Sequence, residues 1–149
     1  PIFGADIIAT RNTVTAAIVD VSPVHNTGNI YYSIAPLANS YHFTHKRPLP
    51  LWGEIFSPFC KFQRLHLENE QKDFVNLVNN ILLIYCDWVK RSKRDDRWVN
   101  NMLRLDDQIW YCKSQKQNKK TLAVLTQWFG KEFAENYIDK MLFDTPRLK

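Results

Sequence analysis

The chain has 149 residues, 45% hydrophobic and 13% aromatic, which is enough apolar material for one domain with a real core and gives no reason to expect two. Lys and Arg number 20 against 15 acids, so the net charge of +5 favours an acidic partner without choosing among nucleic acid, an anionic membrane face, an acidic protein or an anionic small molecule. No apolar run approaches the roughly 20 residues that span a bilayer, and the chain has no phosphate-cradling glycine loop, metal-ligand spacing or nucleophile elbow.

The chain begins Pro1-Ile2-Phe3-Gly4, without an initiator methionine, and runs straight into an apolar strand pattern. A strand at the extreme end of a chain needs neighbours, so a fragment lacking an N-terminal portion is expected. Ile2 to Ala9 and Asn12 to Val21 read as two strands joined near Thr10-Arg11-Asn12, the second rich in β-branched residues; together they predict an antiparallel hairpin closed off by Ser22-Pro23 and Asn26-Thr27-Gly28. The aromatic segment Ile30 to Phe43 is ambiguous, because Pro36 argues against a long unbroken helix while allowing one that starts or kinks there.

After the break at Pro48 and Pro50, Glu54 to Arg64 reads as a further strand region. The period then changes: Phe74, Leu77, Val78, Ile81, Leu82, Tyr85 and Trp88 fall on one helical face, with Asn69 placed to cap the start and Glu70 in the first turn. A second helix spans Trp98 to Lys116, and a third runs from Thr121 to Phe129 and stops at Gly130, which suits a left-handed C-terminal cap. A fourth extends from Lys131 to Phe143, ending before Pro146. Strands first and helices later predict an α+β fold with an antiparallel sheet, and the absence of repeats or linkers predicts one domain. Cys60, Cys86 and Cys112 sit in apolar stretches without a CxxC pair, and are expected to be free buried thiols in a reducing cytoplasm.

Four segments carry more than composition does: Phe3-Gly4-Ala5-Asp6, Leu51-Trp52-Gly53-Glu54-Ile55-Phe56, Asn118-Lys119-Lys120-Thr121 and Leu142-Phe143-Asp144. In this order they resemble the ferredoxin-dependent bilin reductases, and among them the phycocyanobilin-forming branch. The resemblance covers nearly the whole chain and is weakest between His25 and His45. It implies an α/β/α sandwich, a central antiparallel sheet flanked by helices on both faces, with an open-chain tetrapyrrole held between the sheet and the C-terminal helices. Residues 1–149 would then be a single bilin reductase domain, the C-terminal two-thirds of the family's. The implied activity is an oxidoreductase that reduces biliverdin IXα to phycocyanobilin with electrons from reduced ferredoxin and no bound flavin, haem or metal. Reduction to phycoerythrobilin, and a bilin-binding protein without turnover, are the alternatives. A cytoplasmic monomer that engages neither nucleic acid nor membrane goes with this reading, in a cyanobacterial or cyanophage-infected cell or a plastid stroma.

Carried over residue by residue, the resemblance makes Asp6 the aspartate that faces the bilin. Electrons arrive singly and protons must follow, so a carboxylic acid in a poorly solvated site can supply one; alone, an aspartate more often serves a turn or a buried hydrogen bond. Arg47 and Lys120 resemble the family's propionate-contacting residues, with Thr15 as a hydroxyl donor and Trp52 and Val124 lining the pocket. Without the resemblance Arg47 and Lys120 read as solvated charges and Trp52 as core. Asn118 matches the polar position on the other side of the bilin, where an amide in place of a second aspartate leans the product toward phycocyanobilin; read locally, it is a loop residue before a helix capped by Thr121. The family's essential histidine and glutamate lie ahead of the first residue here, and His25, His42, His45 and His66 match neither position. Lys90, Arg91, Lys93, Arg94 and Arg97 could suggest nucleic acid, but Asp95 and Asp96 interrupt them and a solvated helix end explains them better.

Overall fold

The β-branched residues of the N-terminal third do form a hairpin, because their alternation puts one row of side chains against helices and leaves the other on the opposite face. In the computed structural model, which describes residues 1–10 and 13–147, β1 (Ile2–Thr10) pairs antiparallel with β2 (Thr13–Ser22). The expected turn at Arg11-Asn12 lies outside the described residues. Two further strands, β3 (His45–Lys46) and β4 (Lys61–Leu65), complete an antiparallel sheet of order β1-β2-β4-β3. The described residues form two compact units, Pro1–Asp96 and Arg97–Lys149.

In the first unit the core face of the sheet carries Val14, Ala17, Val19, Val21 and Leu65. Against it pack α1 (Tyr31–Ser40), through Ile34 and Ala38, and α2 (Glu68–Arg91), through Phe74, Leu77 and Ile81. Each of those fully buried large side chains contributes about 1.5–3 kcal/mol. Phe3, paired with Val21 and therefore on the same face, meets the Tyr85 ring of α2 at 5.8 Å between centroids. The α+β class with an antiparallel sheet is thus present.

Local details depart from the sequence reading. Pro36 lies inside α1, where its missing N–H costs one intrahelical bond yet does not end the helix, since Ile34 and Ala38 are buried on either side of it. The strand expected over Glu54 to Arg64 is confined to Lys61–Leu65; its first part is a 3-10 turn at Gly53–Ile55 followed by irregular chain. Asn69 does not cap α2. The N-cap position is Leu67, without a side-chain bond, and buried Glu70 instead accepts from the Thr44 N–H at 2.7 Å and the Thr44 hydroxyl at 2.6 Å. Cys86 is exposed on α2, Cys60 is half-buried and Cys112 is buried, all three free.

The second unit is helical: α3 (Trp98–Gln115), α4 (Lys119–Phe129) and α5 (Lys131–Tyr137), the last continuing as a π-helical turn at Ile138–Leu142 where one helix to Phe143 was expected. Gly130 has φ 84° and ψ 159°, so it is not a left-handed helical cap but a sharp corner between α4 and α5 in a region open almost solely to glycine. Within this unit the Lys116 ammonium pairs with Asp139 and donates to the Thr145 hydroxyl at 3.2 Å.

Candidate functional site

Strand register places Asp6 and Arg47 in one line. Asp6 pairs with Ile18, Ile18 pairs with Phe62, and the Arg47 N–H, just past β3, donates to the Phe62 carbonyl at 2.8 Å. Directly paired residues share a face, so Asp6, Ile18, Phe62 and Arg47 form a row across the sheet on the side away from Val19 and α2. With strands ~4.8 Å apart the row spans about 14 Å. Its end residues are Asp6 and Arg47 and its middle is apolar, with the Arg47 guanidinium folded back over Phe62 toward β2. Asp6 is exposed, while Ile18, Phe62 and Arg47 are half-buried.

Thr15 is the residue around which β2 bulges: Ala16 pairs with Ile8 and Val14 with Ala9, leaving Thr15 without a partner in β1. Its hydroxyl donates to the Ile8 carbonyl at 3.1 Å. Its own carbonyl accepts from Arg47 Nη1, and the Arg47 guanidinium carbon lies 5.0 Å above the centre of the Phe62 ring. Trp52 sits half-buried on the connector 47–60 between β3 and β4, its ring 5.9 Å from that of Phe56.

A second carboxyl belongs to this face. Asp20, paired with Gly4, is 4% exposed and accepts from the Ser22 hydroxyl at 2.7 Å, the Ser57 N–H at 3.0 Å and the Ser57 hydroxyl at 2.5 Å. Burial pushes its pKa above the usual carboxylate range, and the bonds from Ser57 and Ser22 hold the rise back. Desolvation, helped by the Asp20 charge, likewise raises the Tyr31 hydroxyl and the Cys60 thiol.

In the second unit, Asn118 is the N-cap of α4, its side-chain oxygen accepting from the Thr121 N–H at 3.3 Å; the cap is therefore Asn118 and not Thr121. Lys120 is exposed in the first turn of α4, and Val124, four residues on and on the same helix face, is 42% exposed. The first unit thus gathers Asp6, Thr15 and Arg47 on one sheet face with Trp52 on the adjoining connector, and the second gathers Asn118, Lys120 and Val124 on the N-terminal half of α4. Among the described residues no group of three or more His, Cys, Asp or Glu could hold a metal ion.

The model of the family described as "Ferredoxin-dependent bilin reductase" matches residues 1–144, through both units. The chain belongs to that family. Similar curated proteins include the phycocyanobilin:ferredoxin oxidoreductases of Trichodesmium erythraeum, 39% identical over 98% of this chain, and of Gloeobacter violaceus, 38% identical over 99% of it. That of Prochlorococcus marinus is 37% identical over 97% of the chain. The chain spans about 60% of the length of these relatives.

For a bilin reductase chain, the residues that sequence reasoning did not single out are Phe62, Asp20 and Ser57. Phe62 stood in the expected strand, but only the register puts it between Ile18 and Arg47. Asp20 carried a signal, an acid within a β-branched strand run directly ahead of Val21-Ser22-Pro23, where a carboxyl needs a buried donor. Nothing local marked Ser57 as that donor.

Proposed function

We propose that the protein reduces biliverdin IXα to phycocyanobilin, taking electrons from reduced ferredoxin without a flavin, haem or metal of its own. The observation that carries this reading is the row Asp6, Ile18, Phe62, Arg47. An open-chain tetrapyrrole is a flat, largely apolar body with two propionates on one edge and, away from that edge, pyrrole and lactam groups that gain protons as electrons are added. A sheet face offering a carboxyl on β1, a guanidinium held over the Phe62 ring on the Thr15 carbonyl, and the apolar side chains of Ile18 and Phe62 beside them answers those demands. Membership of the family and the names of the relatives support the same chemistry.

In this reading Arg47 and Lys120 take the propionates, since the first offers a planar fork and the second a compact charge. Asp6 supplies a proton to match electrons that arrive singly, its carboxyl losing solvent once a bilin lies over it. Thr15, Trp52 and Val124 line the substrate, and Asn118 offers an amide that holds a pyrrole or lactam without delivering a proton. The reaction takes place in the cytoplasm, with the protein a monomer and the whole of residues 1–149 serving as one domain.

Anaerobic incubation with biliverdin and reduced ferredoxin, followed by chromatography of the products, tests the proposal. Phycocyanobilin is the expected product. Phycoerythrobilin would overturn the product assignment, and tight binding of biliverdin that returns unreduced would overturn the enzyme reading.

A further inference from the structure

We propose that Asp20 is a positioning residue of the bilin site: through Ser57 it fastens the connector 47–60 to β2, and so fixes where Trp52 stands. The inference rests on the functional reading above and deepens it, because it concerns how the site is held rather than which groups touch substrate.

A connection as long as 47–60, with a single 3-10 turn inside it, needs ties to hold one conformation. One end is tied by the Arg47 N–H on the Phe62 carbonyl. The middle is tied by Asp20. Its two carboxylate oxygens take different donors of the same residue, Oδ2 the Ser57 N–H and Oδ1 the Ser57 hydroxyl, which fixes Ser57 in orientation as well as in place. The remaining capacity of Ser57 is used within the connector: its hydroxyl oxygen accepts from the Phe59 N–H at 3.1 Å and its carbonyl from the Cys60 N–H at 3.2 Å. Ser22 completes the carboxylate from β2 itself.

The tie reaches Trp52 through a packed stretch. Phe56, the neighbour of Ser57, donates its N–H to the Gly53 carbonyl at 3.1 Å, and the Gly53 N–H donates to the Pro50 carbonyl at 2.8 Å. Gly53 is buried so closely that a Cβ there would stand 3.0 Å from Leu49 Cβ and 3.5 Å from the Phe56 ring. Residues 49–57 are therefore tied to one another, with the Trp52 ring against Phe56. A buried carboxyl is a poor device for adding stability, because its desolvation offsets the bonds it makes, whereas three directional bonds to one acid define a position.

The test combines amide hydrogen exchange on the free protein with absorbance titration of biliverdin, for Asp20→Asn, Ser57→Ala and Ser57→Thr. Asp20→Asn keeps the shape but replaces one of the two accepting oxygens by an amide N–H₂, so that one of the two Ser57 donors loses its acceptor; Ser57→Ala is milder and keeps the backbone bond. In both, exchange over residues 50–57 should quicken by about tenfold or more, the cost of one lost hydrogen bond, while the α2 core amides stay as they were. Biliverdin affinity should fall about tenfold with a shifted bilin absorption band, and Ser57→Thr, which keeps the hydroxyl, should restore both. Parental exchange over 50–57 in both variants would overturn the proposal. So would a loosened connector with unchanged bilin affinity and spectrum, since Asp20 would then be structural only. Failure of the unaltered protein to bind biliverdin would instead bring down the functional reading, and this role with it.

Discussion

The guanidinium of Arg47 crosses β4 to reach the backbone carbonyl of Thr15 in β2. The register explains why that carbonyl is open to it. Thr15 has no partner in β1, and on the other side Val14 pairs with Leu65 and Ala17 with Gln63, so the ladder skips Thr15 there too. A backbone carbonyl left out of both ladders needs another donor, and Arg47 supplies it from above the Phe62 ring.

Arg47→Ala should therefore cost stability as well as binding. The lost hydrogen bond and ring contact should lower the unfolding free energy by about 1–3 kcal/mol, read by urea denaturation. Lys120 is exposed, so Lys120→Ala should stay within about 0.5 kcal/mol of the parent. Both variants should bind biliverdin more weakly by about 1–3 kcal/mol, and unchanged affinity in both would remove them from the propionate site.

Asp6→Asn keeps the shape of the side chain and removes its proton. The variant should fold normally, bind biliverdin and accept an electron, then stall at a radical or partly reduced species visible by absorbance and electron paramagnetic resonance. Parental rate and yield from this variant would make Asp6 a structural residue.

Asn118→Ala removes the cap of α4 and should lower stability by about 1 kcal/mol, whereas Asn118→Ser, which also caps, should stay near the parent. Thermal unfolding distinguishes the two. An equal loss in both would mean that the amide, and not the cap, is what the site requires.

Stability should fall in acid partly through Glu70. The Thr44 hydroxyl holds its carboxyl below the usual range, helped by the Thr44 N–H and by His45 and His66 nearby, against desolvation. A folded-state pKa below the unfolded one means that folding releases a proton, so the contribution is whole above the unfolded value, about 4.3, and is lost as pH falls through the folded one. The stability difference between the parent and Glu70→Gln should be flat near neutrality and shrink below about pH 4. Parallel curves throughout would show that Glu70 is not linked to folding.

Ferredoxins that are strongly acidic would be steered by exposed lysines and arginines, over about 8 Å at physiological salt. The structure narrows which ones. Lys116 is committed to Asp139 and Thr145, while Arg91 pairs with Asp87 and Arg94 with Asp96. Lys90, Lys93, Lys113 and Lys119 are the better candidates, all exposed. Charge reversal at Lys90 and Lys93, or at Lys113 and Lys119, should raise the ferredoxin concentration for half-maximal rate and leave the bilin spectrum alone. Turnover indifferent to added salt and to both reversals would exclude these lysines from docking.

Much of this was legible in sequence where the signal is periodic. The alternation of β2 and the helical stripe Phe74, Leu77, Ile81 are repeated many times over, so noise at single positions does not hide them. The segment 54–60 failed for the complementary reason: aromatic residues there mimic a strand, but Pro58 and the bond from Ser57 to Asp20 commit the chain to a turn. Capping was misplaced at α2 and α4 because several residues near each helix start could serve, and only the local backbone geometry selects one.

By itself the sequence determined the hairpin, the long amphipathic helix, the α+β class and the family, since each rests on residue types in a fixed order along the chain. Only the tertiary structure decided that Asp6 and Arg47 share a face with Ile18 and Phe62 between them, and that Asp20 meets Ser57. The physical reason is register. A shift of one residue between strands would turn every side chain to the other face without altering the pattern within any strand, so a row built across three strands and the residue that follows a fourth is written in their pairing and in no one of them.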